Sequence, residues 1–99
     1  MPPLDPVELT RELTRIDSPT GEEGEVCRFL AGTLERLGYR VTRQDVSPGR
    51  FNLLAVRDAP IVVFSTHLDT VPPALPVRED ETYLHGRGTA DAKGIAAVQ

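Results

Sequence analysis

Apolar residues recur at helical spacing near the start of the chain. Asp5 before Pro6 is typical of a helix start, with the aspartate as the N-cap and the proline as the first helical residue. The helix should end before the Ser18-Pro19 pair, because the residue before a proline avoids helical geometry. Glu8 would complete a capping box. The apolar face of this predicted helix consists of Leu9, Leu13 and Ile16.

A second amphipathic helix is predicted directly after this break. Thr20 and Glu23 have the spacing of a capping box, in which each side chain bonds the backbone of the other. Gly38 stands where a helix commonly ends in a left-handed residue. The apolar face consists of Val26, Phe29, Leu30, Leu34 and Leu37, with Thr33 among them.

The middle of the chain has the shorter periods of β-structure. Residues 39–46 and 51–56 flank a Ser-Pro-Gly turn, which predicts an antiparallel hairpin. Residues 61–64, Ile-Val-Val-Phe, have no polar face and predict a central strand covered on both sides. Further elements are predicted at 77–79 and 82–85, as short strands, and from residue 93 onward, as a helix with no stop signal.

This order of elements predicts an α/β layered domain. Its 99 residues allow one small domain, and the net charge of −4 gives no basic surface for nucleic acid. No apolar run approaches the roughly 20 residues that span a bilayer. The N-terminus lacks the features of a signal peptide, and Cys27 alone cannot form an internal disulfide, so we expect a cytoplasmic protein.

His67 and Asp69 are the first candidate functional residues. They follow the apolar run, and side chains at i and i+2 of an extended chain lie on the same side. The carboxylate could therefore orient the imidazole, as partners of metal-bound histidines do. The alternative is a surface histidine near a turn, with Asp69 capping nearby backbone groups.

Asp91 is the second candidate. It lies in a glycine-rich turn before the last predicted helix, so it is either an N-cap or a metal ligand. As a ligand it could bridge two divalent ions and offset their repulsion. The glycines at 86 and 88 match neither the dinucleotide-binding nor the Walker pattern, which argues against a phosphate site.

Four other polar or reactive residues have less specific patterns. Lys93 could be solvated at a helix start or could support the candidate site. Arg87 could hold a turn or an acidic neighbour, and His85 is expected at a strand end, on the surface or in a cleft. Cys27 is expected to be a partly buried filler rather than a nucleophile, because nothing in its surroundings pairs it with a base.

Three segments together resemble the dinuclear zinc peptidase and deacylase family. Members include acetylornithine deacetylases, succinyl-diaminopimelate desuccinylases, aminoacylases and carboxypeptidases. Residues 18–23 (SPTGEE) resemble the family's S-P-S/T-G-x-E element, residues 67–72 (HLDTVP) its H-x-D-T-V-P element, and residues 86–94 (GRGTADAKG) its G-R-G-x-x-D-x-K-G element. The departures at Thr66, His85 and Ile95 remove no ligand.

The resemblance implies a role for each matching residue. His67 would ligate one zinc ion, Asp91 would bridge two, and Asp69 would be the catalytic-site aspartate that orients His67. The peptide bond after Asp91 is often cis in such proteins. Cobalt or manganese could replace zinc at such ligands.

The resemblance also implies a three-layer catalytic domain with a mixed sheet, of which residues 1–99 would be the N-terminal part. The family's general-base glutamate, its remaining ligands and its lid or dimerisation domain lie downstream of the segment matched by Asp91. Residues 79–81 are acidic, but they lie upstream and should not substitute for them. We therefore expect the 99 residues alone to be inactive and prone to association.

The complete enzyme is expected to hydrolyse an amide bond of an N-acyl amino acid or small peptide, and to be a homodimer. Two alternatives remain open at this point. One is a metal-binding module in which His67 and Asp91 serve assembly only. The other is a non-enzymatic interaction domain that lacks the catalytic half.

Overall fold

The computed structural model describes residues 4–59 and 62–99, and these form helices and two antiparallel hairpins. The α/β class predicted from the sequence is therefore confirmed. None of the described helices is long and apolar enough to cross a membrane. The elements are α1 (Pro6–Arg15), α2 (Gly24–Arg36), β1 (Arg40–Ser47), β2 (Arg50–Val56), β3 (Arg78–Glu79), β4 (Leu84–His85) and α3 (Lys93–Val98).

The first helix begins and ends where local chemistry predicts. The Asp5 carboxylate accepts a hydrogen bond from the backbone N–H of Val7 at 2.9 Å, and Pro6 is the first helical residue. Ile16 is the C-cap, two residues before Ser18. The start signal and the proline stop signal are thus both confirmed.

The second helix starts later than the sequence predicts. It begins at Gly24, and its N-cap, Glu23, makes no side-chain capping bond. The predicted capping box at Thr20 is wrong, because the Thr20 hydroxyl donates to Asp69 instead, at 2.6 Å. The end of α2 is as predicted: Gly38 has a φ of 94°, and the N–H of Tyr39 bonds the carbonyl of Leu34 at 3.0 Å.

The two hairpins match the predicted strand pairs. β1 and β2 pair antiparallel from Arg40 opposite Val56 to Ser47 opposite Arg50, with a bulge near the turn. β3 and β4 are shorter than expected. Their turn is held by Asp80, whose carboxylate accepts from two backbone N–H groups.

The core lies between α1, α2, β2 and α3. One face of each helix supplies it, and Phe51 covers it from the hairpin. Cys27 belongs to this core, as expected, and burial raises the pKa of its thiol. The buried cluster is Leu9, Leu13, Val26, Cys27, Phe51 and Ala97.

The apolar run at 61–64 was expected to form a central strand, and its described residues do not. Residue 61 lies outside the described residues, and residues 62–64 are in no strand. Val62, Val63 and Phe64 are 65%, 77% and 70% exposed. A strand that is apolar on both faces is usually covered by other elements on both sides. In the described ranges, however, each sheet has two strands, and neither sheet includes residues 62–64. The prediction of a covered central strand is therefore wrong for residues 62–64.

Two bidentate ion pairs tie the hairpins to the helices. Arg11 of α1 donates to both oxygens of Glu79 at 2.8 and 2.7 Å. Arg50 of β2 donates to both oxygens of Glu23 at 3.1 and 3.0 Å. The second pair lowers the pKa of Glu23, while partial burial of the carboxyl opposes this effect.

The lowered pKa of Glu23 predicts an acid-sensitive contribution to stability. A depressed folded-state pKa stabilises the fold above the unfolded-state value and is lost as pH falls through the folded-state value. Glu23→Gln should lower the Tm at neutral pH by roughly 2–6 °C. In thermal melts the variant and the unmodified chain should converge at acid pH.

Glu22→Gln is the matched control, because it makes the same chemical change one residue away at an exposed position. It should leave the melting profile close to that of the unmodified chain. An equal loss of Tm in both variants would show that the Arg50 pair is not the cause.

Candidate metal centre

The segment that carries His67 is held by the turn between α1 and α2. Residues 18–20 run beside residues 68–70, with a parallel bridge between Pro19 and Thr70. The N–H of Thr70 bonds the carbonyl of Ser18 at 2.8 Å, and the N–H of Thr20 bonds the carbonyl of Thr70 at 3.3 Å. The fully buried Ser18 adds a bond from its hydroxyl to the carbonyl of Leu68 at 2.7 Å. This pairing fixes the backbone on both sides of Asp69.

His67 and Asp69 lie on the same side of this segment, as their spacing predicts. Leu68, between them, packs against the core. Nδ1 of His67 is 3.1 Å from Oδ1 of Asp69 and 3.2 Å from its backbone oxygen. Because both of these oxygens only accept, Nδ1 must carry a proton. Nε2, the other ring nitrogen, is thereby directed away from Asp69.

Asp91 approaches from the second segment. Its Oδ1 lies 3.0 Å from Nε2 of His67, and its peptide bond to Ala92 is cis, as the resemblance led us to expect. The Asp91 side chain is 87% exposed, and that of His67 is 50% exposed. The structure thus brings together His67, Asp69 and Asp91 at an open site.

The loop that carries Asp91 reaches this position by packing closely on Thr70. Gly88 has a φ of 90°, and a Cβ placed on it would lie 2.7 Å from Cγ2 of Thr70. The carbonyl of Gly88 accepts from the N–H of Lys93 at 2.9 Å. A residue larger than glycine would push the loop away from the His67 segment.

Lys93 joins the same loop to the end of α1. It is 1% exposed, and Nζ donates to the carbonyl of Ile16 at 2.6 Å, at the end of α1. Burial lowers the pKa of Lys93, and the charge of Asp17 acts in the opposite direction. Of the two interpretations left open by the sequence, the structure favours support of the site over solvation.

The remaining polar candidates make their hydrogen bonds to groups other than His67, Asp69 and Asp91. His85 faces the Asp80 carboxylate at 3.5 Å. Arg87 donates from Nε to the carbonyl of Pro73 at 3.0 Å, which joins its loop to a segment 14 residues earlier. Glu79 is engaged by Arg11, and Asp80 by backbone N–H groups of its own turn, so neither carboxylate supplies the site.

The electrostatics of the site centre on the imidazole. Burial lowers the pKa of His67, but the hydrogen bond to Asp91 and the contacts with Asp69 outweigh it, so the pKa is raised. The pKa of Asp69 is lowered, mainly by the hydrogen bond from Thr20. Each ring nitrogen thus faces carboxylate oxygen, an arrangement that suits an imidazolium or a cation in place of the Nε2 proton.

The geometry fits two ligands of one ion. Donor atoms about 2.0–2.1 Å from one zinc, at a tetrahedral angle, lie about 3.3 Å apart. The 3.0 Å between Nε2 of His67 and Oδ1 of Asp91 is close to this value. Within the described ranges, however, no three His, Cys, Asp or Glu side chains form a cluster that could hold an ion.

A cleft of about 330 Å³ opens beside these atoms. It is large enough for a small polar molecule next to the His67–Asp91 pair. Its lining residues are His67, Asp69, Thr70, Val71, Gly86, Arg87, Gly88, Thr89, Ala90 and Asp91.

Comparison with known proteins gives the same picture as the motifs. A putative LysW-lysine/LysW-ornithine hydrolase of Pyrococcus furiosus is 38% identical over 93% of this chain and 28% of its own length. A probable carboxypeptidase of Aspergillus clavatus is 35% identical over 90% of this chain and 25% of its own. A LysW-lysine hydrolase of Deinococcus radiodurans is 40% identical over 92% of this chain and 26% of its own.

The chain is therefore related, over most of its own length, to hydrolases and carboxypeptidases, the kinds of enzyme that its motifs resemble. It spans about a quarter of the length of the curated relatives it matches. No protein-family model matches it. The relatives are named as hydrolases and carboxypeptidases. Their matches cover at least nine-tenths of this chain, the chain that carries the His67, Asp69 and Asp91 segments.

Sequence reasoning missed Thr20 and Ser18 as parts of the site. Thr20 was assigned to a helix cap, and Ser18 was considered only as a proline neighbour and motif residue. Their partners are 49 and 50 residues away. The motif at 18–23 was the one signal that pointed to this turn.

The close contact at Gly88 yields a stability prediction. Gly88→Ala should lower the free energy of unfolding for two reasons. An alanine in left-handed backbone geometry costs about 1–2 kcal/mol, and its Cβ would clash with Thr70, which adds about 1 kcal/mol or more. Gly21→Ala has the same kind of backbone penalty, with a φ of 98°, but within residues 4–59 and 62–99 no atom lies within 4 Å of a Cβ added there. Urea unfolding should therefore show a larger loss for Gly88→Ala, and equal losses would argue against the close packing of the loop.

Proposed function

We propose that this chain is part of a metal-dependent hydrolase of amide bonds, and that it contributes His67 and Asp91 to a dinuclear zinc site. The observation that carries the proposal is the 3.0 Å approach of Nε2 of His67 to Oδ1 of Asp91. These atoms come from motifs 24 residues apart, in a chain related to hydrolases and carboxypeptidases.

Each residue has a distinct part in the proposed mechanism. His67 would hold one metal through Nε2, and Asp91, whose carboxylate is mostly exposed, would be available to hold a second. The Asp69 carboxylate accepts a hydrogen bond from Nδ1–H of His67. This bond fixes the tautomer and makes the imidazole a stronger ligand. When bound, zinc supplies Lewis acidity for the amide carbonyl and makes hydroxide available near neutral pH.

The substrate that we propose is an N-acyl amino acid or a small peptide. The relatives include hydrolases named for LysW-lysine and proteins named as carboxypeptidases, and these names support the proposal. The open cleft beside Asp91 would admit such a molecule. Cytoplasmic location and a homodimeric full-length protein remain parts of the same proposal.

A three-layer domain with a mixed sheet is the fold that we propose for the complete protein. The parallel bridge between Pro19 and Thr70 supports it, since this pairing differs in direction from both hairpins. The exposed apolar side chains of Val62, Val63 and Phe64 also support it, because further strands would cover them.

A metal-binding module without catalysis is the second candidate for the 99 residues. It is favoured by the ligand count: among the described residues no three His, Cys, Asp or Glu side chains form a group that could hold an ion, and the residues that line the cleft include no glutamate. Under this alternative the chain would bind an ion without turnover.

Zinc titration followed by NMR tests the proposed site directly. The chain has two histidines, so the two imidazoles can be distinguished. Zinc should shift the signals of His67 and leave those of His85 unchanged at the same concentrations. Binding should tighten as pH rises through the raised pKa of His67, because a proton on Nε2 competes with the metal.

Variants of both ligands and of the second histidine provide the controls. His67→Gln and Asp91→Asn should each weaken zinc binding by about tenfold or more. His85→Gln, which removes the other imidazole, should leave it unchanged. Zinc shifts centred on His85, or equal affinity in all three variants, would contradict the proposed site.

A further inference from the structure

The hydroxyl of Thr20 contacts the site although Thr20 is not a candidate ligand. It donates to Oδ2 of Asp69 at 2.6 Å, from the turn between α1 and α2. We propose that Thr20 is a positioning residue: it orients the Asp69 carboxylate so that His67 keeps Nδ1 protonated and presents Nε2 to the metal. This inference rests on the proposed metal site and adds a residue to its support.

The backbone around Thr20 is fixed independently of its side chain. Thr20 donates its N–H to the carbonyl of Thr70 at 3.3 Å, and Ser18 accepts from the N–H of Thr70 at 2.8 Å. Ser18 is fully buried and holds the carbonyl of Leu68. The hydroxyl of Thr20 is therefore delivered to one place beside Asp69 by hydrogen bonds on both sides of it.

The two oxygens of Asp69 serve different partners. Oδ1 is 3.1 Å from Nδ1 of His67, and Oδ2 accepts from Thr20. A carboxylate held at both oxygens cannot rotate about its terminal torsion without losing one of these bonds. Removal of the hydroxyl would free Oδ2 and loosen the orientation of the whole carboxylate.

The orientation of Asp69 determines which ring nitrogen of His67 can bind a metal. A neutral imidazole has one N–H and one lone pair, and the partner of one nitrogen decides the role of the other. When Nδ1 donates to Asp69 and the ring is neutral, the lone pair is on Nε2, the nitrogen on the Asp91 side, where a cation can take the place of the Nε2 proton. A loosened carboxylate would let the proton move to Nε2 and block the metal.

The engagement of Oδ2 also keeps Asp69 out of the metal site. Because Oδ1 faces His67 and Oδ2 is held by Thr20, turning the carboxylate toward the ion would cost Asp69 these contacts, which favours its role as an orienting group. The Thr20 hydroxyl thus favours Asp69 as the group that orients His67 and leaves Asp91 as the proposed ligand.

Two substitutions at position 20 separate the hydroxyl from the shape of the side chain. Thr20→Val keeps the branched shape, which suits the extended pairing with Thr70, and removes the hydroxyl. Thr20→Ser keeps the hydroxyl and removes a methyl group. Thr10→Val is the matched control, because the Thr10 hydroxyl donates to the carbonyl of Pro6 within α1.

The first readout is the imidazole tautomer of His67 in the metal-free chain. Long-range proton–nitrogen NMR spectra, recorded at a pH above the imidazole titration, distinguish a proton on Nδ1 from one on Nε2. The unmodified chain, Thr20→Ser and Thr10→Val should show the Nδ1–H form. Thr20→Val should show a mixture, which a merely structural effect on stability would not produce.

The second readout is zinc binding followed through the signals of His67. Thr20→Val should need about three- to tenfold more zinc for half-saturation, somewhat less than the loss typical of a direct partner of a metal-bound histidine. Thr20→Ser should restore the unmodified value. Should Thr20→Val fail to fold, Thr20→Ala, which leaves the backbone pairing intact, carries the same expectations.

Two results would overturn the inference. One is a Thr20→Val chain with the unmodified tautomer and zinc dependence. The other is a Thr20→Ser chain that behaves like Thr20→Val, since the hydroxyl would then have no special part. If zinc fails to perturb His67 in the unmodified chain, the proposed metal site is refuted, yet the tautomer comparison still decides the role of Thr20.

Discussion

The pairing of residues 18–20 with residues 68–70 is the constraint on which the candidate site depends. Two backbone hydrogen bonds and the Ser18 side chain join segments about 50 residues apart in sequence. Because the paired residues flank Asp69, they set where this carboxylate lies, and the carboxylate sets the orientation of His67. The loop of Asp91 then packs on Thr70, the last residue of the same pairing. One short parallel contact therefore aligns all the polar groups of the site.

The chemistry of the site follows from this alignment. An imidazole with a carboxylate at each ring nitrogen attracts positive charge, and the raised pKa of His67 expresses that preference for a proton. A divalent cation between Nε2 and Asp91 would satisfy the same oxygens and add Lewis acidity. The site is open to solvent, which suits ligands that must also meet a substrate. The buried Lys93, bonded to the end of α1, holds the Asp91 loop from the other side.

What could be predicted from the sequence divides by the distance between partners. The cap at Asp5, the helix end at Gly38 and the main hairpin depend on neighbours a few residues away, and the structure confirms them.

Contacts between distant residues are harder to predict. The capping pattern at Thr20 is misleading because the partner of its hydroxyl lies 49 residues along the chain. The run at 62–64 indicated burial but not what would cover it. Lys93 remained ambiguous because the carbonyl that it binds lies 77 residues earlier. The His67–Asp91 approach could be predicted because two motifs, rather than one residue, pointed to it.

A crystal structure of the chain grown with zinc, with diffraction recorded at the zinc absorption edge, tests the central claim most directly. The account predicts an anomalous peak about 2.0–2.1 Å from both Nε2 of His67 and Oδ1 of Asp91, with Asp69 still bonded to Nδ1. A peak held elsewhere, or a His67 ring turned so that Nδ1 faces the ion, would contradict it.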